Sequence, residues 1–194
     1  MTRTTTALLL PLLLAAAAGA GDDHGNSTTT DYIRSSCNAT LYPDLCYTSL
    51  SRYSAAVQQS PRRLARVAIG VALSKVRRTA SFLANNASAL ADYGSDRRAA
   101  AALHDCRSNL GDAAEQMRQL GAAGATEEAF RFQMSNVQTW MSAALTDEET
   151  CTDGFQDVAD GEVKAAVYAR AAEAKKYTSN ALALVNTYAA AGTP

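Results

Sequence analysis

Cysteines, histidines and a run of carboxylates are the residues of this 194-residue chain whose types could do chemistry. Cys106 follows directly after His104 and Asp105, residue types that could serve a nucleophilic thiol. Adjacent residues of a helix point in different directions, and only neighbours three or four apart share a face. We therefore expect His104 to lie on a helix surface or edge and not to act as a catalytic base.

The carboxylate run Asp147–Glu149 could in principle serve acid–base chemistry or bind a cation. Such a run is more typical of a solvated turn, and we predict a polar turn over Asp147–Gly154. A zinc site would need close ligand pairs such as C-x2-C together with histidines. The chain has C-x8-C spacing and only His24 and His104. The sequence thus predicts no catalytic residues, no metal site and no cofactor.

An N-terminal signal peptide indicates an oxidising compartment. Met1–Ala20 has a basic Arg3, an apolar run over Ala7–Ala18 and small residues before a cleavage point near Gly21. The run is too short to span a bilayer comfortably, and no later stretch is long and apolar enough. We predict a secreted, extracellular protein with no membrane anchor after removal of the signal.

An oxidising compartment changes the expected chemistry of the cysteines and asparagines. Four cysteines there predict two disulfides. Three pairings can be drawn, and loop closure favours the local pair Cys37–Cys46, which leaves Cys106–Cys151. The three Asn-x-Ser/Thr sequons become candidate N-glycosylation sites, at Asn26, Asn38 and Asn86.

The composition predicts an all-α protein. Alanine, the residue with the highest helix propensity, supplies about one residue in five, and only 4 prolines are present. A hydrophobic fraction of 47% excludes disorder for most of the chain. The formal net charge of −1, from 18 basic and 19 acidic residues, leaves no electrostatic footprint for nucleic acid.

Apolar periodicity predicts four long helices after a short N-terminal region. Residues 21–30 read as a flexible polar segment, and 31–60 as a helical hairpin closed by the first disulfide. The long helices are predicted over Pro61–Asn86, Asp96–Leu120, Glu127–Leu145 and about Phe155–Tyr188, with Ser60, Ser95 and Thr126 as N-caps of the first three. Short links between amphipathic helices indicate an up-down-up-down four-helix bundle over 61–190.

The basic pairs and the tryptophan that lie off the apolar stripes are assigned roles in solubility and packing. The basic pairs Arg62-Arg63, Arg77-Arg78 and Arg97-Arg98 fall on outer helix faces, where we expect acids to balance them and solubility to be their role. The lone tryptophan, Trp140, lies beside the stripe of the third helix, which favours a place at the edge of the core.

Four segments together resemble the plant invertase/pectin methylesterase inhibitor family, over Ile33–Tyr188. The most specific is CNATLYPDLC at Cys37–Cys46, similar to the family's C-x2-T-x-Y-P-x2-C hairpin. The other segments are Leu103–Cys106 with Asp112-Ala113, then Val137–Thr146 followed by Thr150–Phe155, and Ser179–Leu184. Leu110 departs from the family, where relatives often carry Tyr, and this bears on core packing.

The resemblance implies a four-helix bundle preceded by a helical hairpin, with the first cysteine joined to the second and the third to the fourth. It implies reversible 1:1 inhibition of a cell-wall carbohydrate enzyme. Invertase inhibitors typically carry a Pro-Lys-Phe motif around the junction between the third and fourth helices, and nothing between Trp140 and Phe155 matches it. The run QTWMSAALT looks like the pectin methylesterase branch. We expect a free-standing pectin methylesterase inhibitor, with acid invertase as the alternative target.

Relatives contact their enzymes through several bundle helices, which suggests polar positions off the inner stripes as a steric interface. The candidate positions are Asn109, Asp112 and Gln116 on the second helix and Asn136, Thr139, Ser142 and Thr146 on the third. The inhibitor itself is expected to be a monomer or a weak dimer.

Two functions of other classes compete with inhibition. A small-ligand carrier would need a cavity in the bundle, but alanine-rich stripes let helices close together. An enzyme would have to use Asp147, Glu148 or Glu149, and turnover of pectin or sucrose by the purified chain would support it.

Overall fold

A computed structural model describes residues 23–86, 97, 108, 126–156 and 160–192. In that part of the chain every regular element is a helix and there is no strand, which confirms the predicted all-α class. The elements are α1 (Asp23–Cys37), α2 (Pro43–Leu50), a 3-10 turn (Ser51–Tyr53), α3 (Ser54–Val57), α4 (Pro61–Asn85), α5 (Glu127–Asp153) and α6 (Glu162–Ala190).

The core runs along α6, which packs against both α4 and α5. Each long helix buries a stripe of apolar residues spaced three and four apart, as their periodicity predicts. The buried stripes include Ile69, Leu73, Val76 and Leu83 on α4, Phe130, Met134, Val137, Met141 and Ala144 on α5, and Val167, Ala171, Ala174, Ala181 and Leu184 on α6. Trp140 is partly buried against this core, in agreement with its predicted place at the edge.

Side-chain caps start α4 and α5 at the predicted residues. The Ser60 hydroxyl accepts a hydrogen bond from the Arg63 amide at 3.4 Å, and the Thr126 hydroxyl accepts one from the Ala129 amide at 3.2 Å. Pro61 occupies the first turn of α4, where a missing N–H costs nothing. The local sequence therefore determines where these two helices begin.

The N-terminal segment was predicted to be flexible, but residues 23–30 form the first turns of α1. Thr29 and Ile33, one helical turn apart, are both buried. α1 packs against α2, α3 and α6. These contacts outweigh the poor helix propensity of a segment that contains glycine and three threonines.

The polar turn predicted over Asp147–Gly154 is wrong, because α5 continues as a helix to Asp153. Glu148 and Cys151 extend the buried stripe at the same spacing of four and three, and each is no more than 1% exposed. The following helix starts at Glu162 and not near Phe155. Gly161 has extended backbone and precedes the first turn of α6.

The N-terminal hairpin is closed by the disulfide Cys37–Cys46, with the two Cα atoms 5.6 Å apart. Both cysteines are buried, and the bond links the end of α1 to α2. Cys151 is buried on α5, whereas Cys106 lies outside the described residues.

Asn180 of α6 holds this hairpin against the bundle. Its Nδ2 donates to the Tyr42 carbonyl at 2.9 Å, and its Oδ1 accepts from the Tyr42 amide at 3.0 Å. The Asn180 side chain is 4% exposed. One amide thus satisfies both backbone groups of the residue that precedes α2.

Replacing both Cys37 and Cys46 with alanine is expected to lower the free energy of unfolding by roughly 3 kcal/mol, because the unfolded chain regains the entropy of a short closed loop. Denaturant titration of this variant beside the oxidised parent chain measures the difference. A loss below about 1 kcal/mol would mean that packing alone holds the ends of the hairpin together.

Candidate partner-binding surface

The outer face of α5 is an exposed line of side chains opposite the core. Phe132, Thr139 and Thr146 are all exposed. They follow one another seven residues apart, which brings each to nearly the same side of the helix. Phe132 lies about 200° around the helix from the buried Phe130, so this line faces away from α6.

The structure brings the predicted positions of this helix together on that face. Thr139, Ser142 and Thr146 are exposed, and Asn136 is half-buried. The three positions predicted on the second helix lie outside the described residues: Asn109, Asp112 and Gln116. We call the face formed by Phe132, Asn136, Thr139, Ser142 and Thr146 the α5 surface.

The two threonine hydroxyl groups of the α5 surface donate their single hydrogen to backbone carbonyls of the same helix. Thr139 Oγ1 donates to the Ser135 carbonyl at 2.8 Å, and Thr146 Oγ1 donates to the Ser142 carbonyl at 3.3 Å. A hydroxyl has one donor and two acceptor positions. The two threonines therefore offer acceptor lone pairs outward, and a complementary partner would present N–H or O–H donors.

Phe132 was missed by the sequence reasoning, although it is 68% exposed and the largest apolar side chain on this face. Its signal in the sequence is an aromatic residue placed far from the apolar stripe of its own helix. Truncated interface residues with large effects are enriched in aromatic side chains. An exposed phenylalanine amid small polar residues is a suitable anchor for a partner protein.

Side-chain bonds along the length of α5 fix it to α6. Near the middle of α5, Gln138 Nε2 donates to Asn186 Oδ1 at 2.8 Å. Farther along, Lys175 Nζ lies 3.0 Å from Glu149 Oε1. These exposed contacts add to the buried packing of α5 on α6, which holds the α5 surface in one orientation before any partner arrives and reduces the entropy cost of binding.

Glu148 is a core residue and not part of a solvated turn. It is 1% exposed, and Thr178 Oγ1 donates to its Oε1 at 2.7 Å. Burial raises the pKa of Glu148 to about 8, opposed by the Thr178 hydrogen bond and the charge of Lys175. Its Oε2 atom is buried without a hydrogen-bond partner among the described residues. The Glu148 side chain therefore favours the neutral, protonated form.

The carboxylate run does not converge on a common site. Glu149 is exposed and paired with Lys175, whereas its neighbour Glu148 is enclosed in the core. Within the described ranges, no three histidine, cysteine or acidic side chains lie close enough to hold a metal ion. No helix of that same part is long and apolar enough to cross a membrane.

The sequence as a whole is similar to known proteins. The family model described as plant invertase/pectin methylesterase inhibitor matches residues 31–184. The "21 kDa protein" of Daucus carota is 40% identical over 168 residues, covering 82% of this chain and 84% of that protein. "Pectinesterase inhibitor 3" of Arabidopsis thaliana is 40% identical over 163 residues, covering 80% and 78%.

Among solved structures, one described as mutant form A of a pectin methylesterase inhibitor from Arabidopsis aligns with a TM-score of 0.49 and 21% identity, over 77% of this chain and 92% of that one. The family model covers well over half of the chain, including the Cys37–Cys46 hairpin and Asn180. The chain belongs to the plant invertase/pectin methylesterase inhibitor family.

Proposed function

We propose that the chain is a secreted protein inhibitor of pectin methylesterase that covers the enzyme's substrate cleft in a reversible 1:1 complex. The observation that carries this is 40% identity to "Pectinesterase inhibitor 3" over 80% of the chain, within a family-model match over 31–184. Acid invertase is the less favoured target, because the relatives that match at about 40% and carry a functional name are pectinesterase inhibitors. The inhibitor performs no catalysis.

The α5 surface is the proposed contact on the inhibitor. It has an exposed aromatic anchor at Phe132, acceptor oxygens at Thr139 and Thr146, and a rigid attachment to α6. A stable complex buries on the order of 800 Å² per partner, more than one helix face supplies. The predicted second-helix positions Asn109, Asp112 and Gln116 would supply further contact area.

The proposed architecture is one inhibitor domain over 31–190, with a four-helix bundle from residue 61 onward. Residues 96–120 would form the remaining bundle helix, and Cys106 would be joined to Cys151. The burial of Ala144, Glu148 and Cys151 along one side of α5 supports this arrangement.

Secretion and glycosylation complete the proposal. Residues 1–20 would act as the signal peptide, and the chain would reside in the cell wall. Asn38 is exposed just after α1, which suits a glycan acceptor. Asn86 is half-buried and its Nδ2 donates to the Phe82 carbonyl at 2.8 Å, so glycosylation there would compete with this bond. The Asn26 side chain lies outside the described residues.

Thr139→Trp tests the α5 surface. A bulky ring there would hold the two proteins apart, and we expect the inhibition constant for a plant pectin methylesterase to rise at least about tenfold. The oxidised parent chain and the variant are titrated against the esterase, with an acid invertase assayed in parallel.

Thr187→Trp on α6 is the matched control. Thr187 is also exposed, and its hydroxyl donates to the Ala183 carbonyl at 3.0 Å in the same intrahelical pattern. Full inhibition by folded Thr139→Trp would remove the α5 surface from the interface. Inhibition of the invertase alone would reverse the choice of target.

A further inference from the structure

Positive charge is concentrated on α4, and the helix itself contains no acidic residue to balance its arginine pairs. Residues 45–91 contain seven basic and no acidic residues, in a chain of net charge −1. Lys75 of α4 pairs with Glu173 of α6 at 2.8 Å. Arg66, Arg77 and Arg78 are exposed and form no ion pair with any described residue. A uniform field of one sign attracts ligands of the opposite charge.

An open groove runs along this helix. Two adjoining hollows of about 270 and 470 Å³ share Gly70, Ser74 and Arg78 as walls. Gly70 is exposed, and a Cβ atom placed on it would meet nothing within 4 Å. The lining residues extend from Val67 to Asn85, a length of about 27 Å at the rise of an α-helix. A groove of this length fits a chain molecule better than a small ion.

Aromatic rings interleave with the arginines of the groove. Tyr53 lines one hollow, with the Arg52 guanidinium 5.1 Å from its ring centroid. Phe82 lines the other, with the Arg170 guanidinium 3.9 Å from its ring. Guanidinium groups bind carboxylates through paired hydrogen bonds, and aromatic rings offer apolar contact to the C–H faces of sugars. Together they suit a polymer of acidic sugars.

We propose that the α4 groove binds a carboxylate-bearing polysaccharide, namely pectin whose methyl esters have been removed. Clustered basic side chains are a feature of surfaces that bind acidic polysaccharides such as heparin. The choice of pectin as the polymer rests on the proposed function, since hydrolysis of a methyl ester yields methanol and the free carboxylate. Binding through α4 would concentrate the inhibitor where the esterase has already acted and would leave the α5 surface available.

The test is calorimetric titration of the full oxidised chain with polygalacturonate and with highly methylesterified pectin. We expect binding to polygalacturonate and at least tenfold weaker binding to the esterified polymer. The double variant Arg77→Glu/Arg78→Glu should lose at least tenfold in affinity for polygalacturonate. Its inhibition of pectin methylesterase should be unchanged, because both residues lie away from the α5 surface.

The matched control is Arg131→Glu/Lys176→Glu, which makes the same change in net charge with exposed residues of α5 and α6. Three outcomes would overturn the proposal: equal loss in the control, equal affinity for polyglutamate, or unchanged polymer binding by the α4 variant. Loss of esterase inhibition by the α4 variant with polymer binding intact would instead make the groove an enzyme contact. Failure of the parent chain to inhibit any esterase is a separate readout and contradicts only the proposed function.

Discussion

Replacing Glu148 with glutamine is expected to remove much of the decline in stability that we expect of the parent chain between pH 5 and 8. Burial places the pKa of Glu148 at about 8 in the folded chain, against an ordinary value of 4.5. Glutamine has nearly the same shape and carries no charge at any of these pH values. The buried position therefore no longer has to take up a proton when the variant folds.

The direction follows from proton linkage. Between pH 4.5 and about 8 the folded chain holds a proton on Glu148 that the unfolded chain has already lost. The unfolding free energy therefore falls as pH rises through this window. For a group so displaced the fall is on the order of a few kcal/mol, with the stabilisation fully present below pH 4.5.

Urea titrations of the parent chain, Glu148→Gln and Glu149→Gln at half-unit steps from pH 4.5 to 9 measure this effect. Glu149 is exposed and ion-paired with Lys175, so its variant should follow the parent slope. The variants are compared by the slope of unfolding free energy against pH, because a buried glutamine amide can itself change the absolute stability. Parallel slopes for the parent and Glu148→Gln would show that Glu148 ionises normally in the folded chain.

Asn180→Leu is expected to lower the unfolding free energy by about 3 kcal/mol. The variant loses two hydrogen bonds and leaves the amide and carbonyl of Tyr42 without their partner. Each of the two backbone groups left unsatisfied costs about 1–3 kcal/mol when buried, and the part-buried position of both bonds places the total near the lower end, at about 3 kcal/mol. Leucine has the same branched skeleton as asparagine, so no cavity is left, and the larger methyl groups at this buried site can only add to the loss.

Asn186→Leu is the comparison for this variant. Asn186 also lies on α6, but it is exposed and accepts a single bond from Gln138. We expect its replacement to change stability by less than about 0.5 kcal/mol. Guanidinium titration of both variants gives the difference, and a comparable small change at Asn180 would mean that water satisfies Tyr42.

Local sequence signals were sufficient for the buried stripes of the described long helices and for the starts of α4 and α5. The stripe from Phe130 to Ala144 and the caps at Ser60 and Thr126 depend only on neighbours within a helical turn or two. The same holds for the Cys37–Cys46 disulfide, which closes a short loop and was favoured on that ground. Interactions of short range along the chain are the ones that spacing can predict.

Features that depend on burial by distant segments were not predictable. The turn assigned to Asp147–Gly154 failed because Glu148 was counted as charged, and only its enclosure in the core makes the neutral form favourable. The prediction of a flexible segment over residues 21–30 failed because the contacts of α1 with α2 and α6 outweigh the weak helix propensity of its first turns. The pairing of Asn180 with Tyr42 joins residues 138 positions apart, which no local pattern encodes.

The candidate functional surfaces include some features that the local sequence predicts and others that it does not. Thr139, Ser142 and Thr146 were placed correctly on an exposed face because helix geometry alone decides it. Phe132 could have been found by the same geometry, as an aromatic residue outside the stripe. The α4 groove required the structure, because its walls come from Arg52, Gly70 and Phe82 of different segments or turns.

The paired hydrogen bonds between Tyr42 and Asn180 also determine when the N-terminal hairpin can dock during synthesis of the chain. Synthesis at about 5–20 residues per second delivers Asn180 roughly 7–28 s after Tyr42. The hairpin can form and close its disulfide early, yet α6 does not exist for it to dock against during that interval. Ile33 and Leu50, which the finished protein buries, belong to this waiting hairpin. Docking of the hairpin is therefore a late folding step, and the nascent chain that awaits α6 is the species most exposed to aggregation.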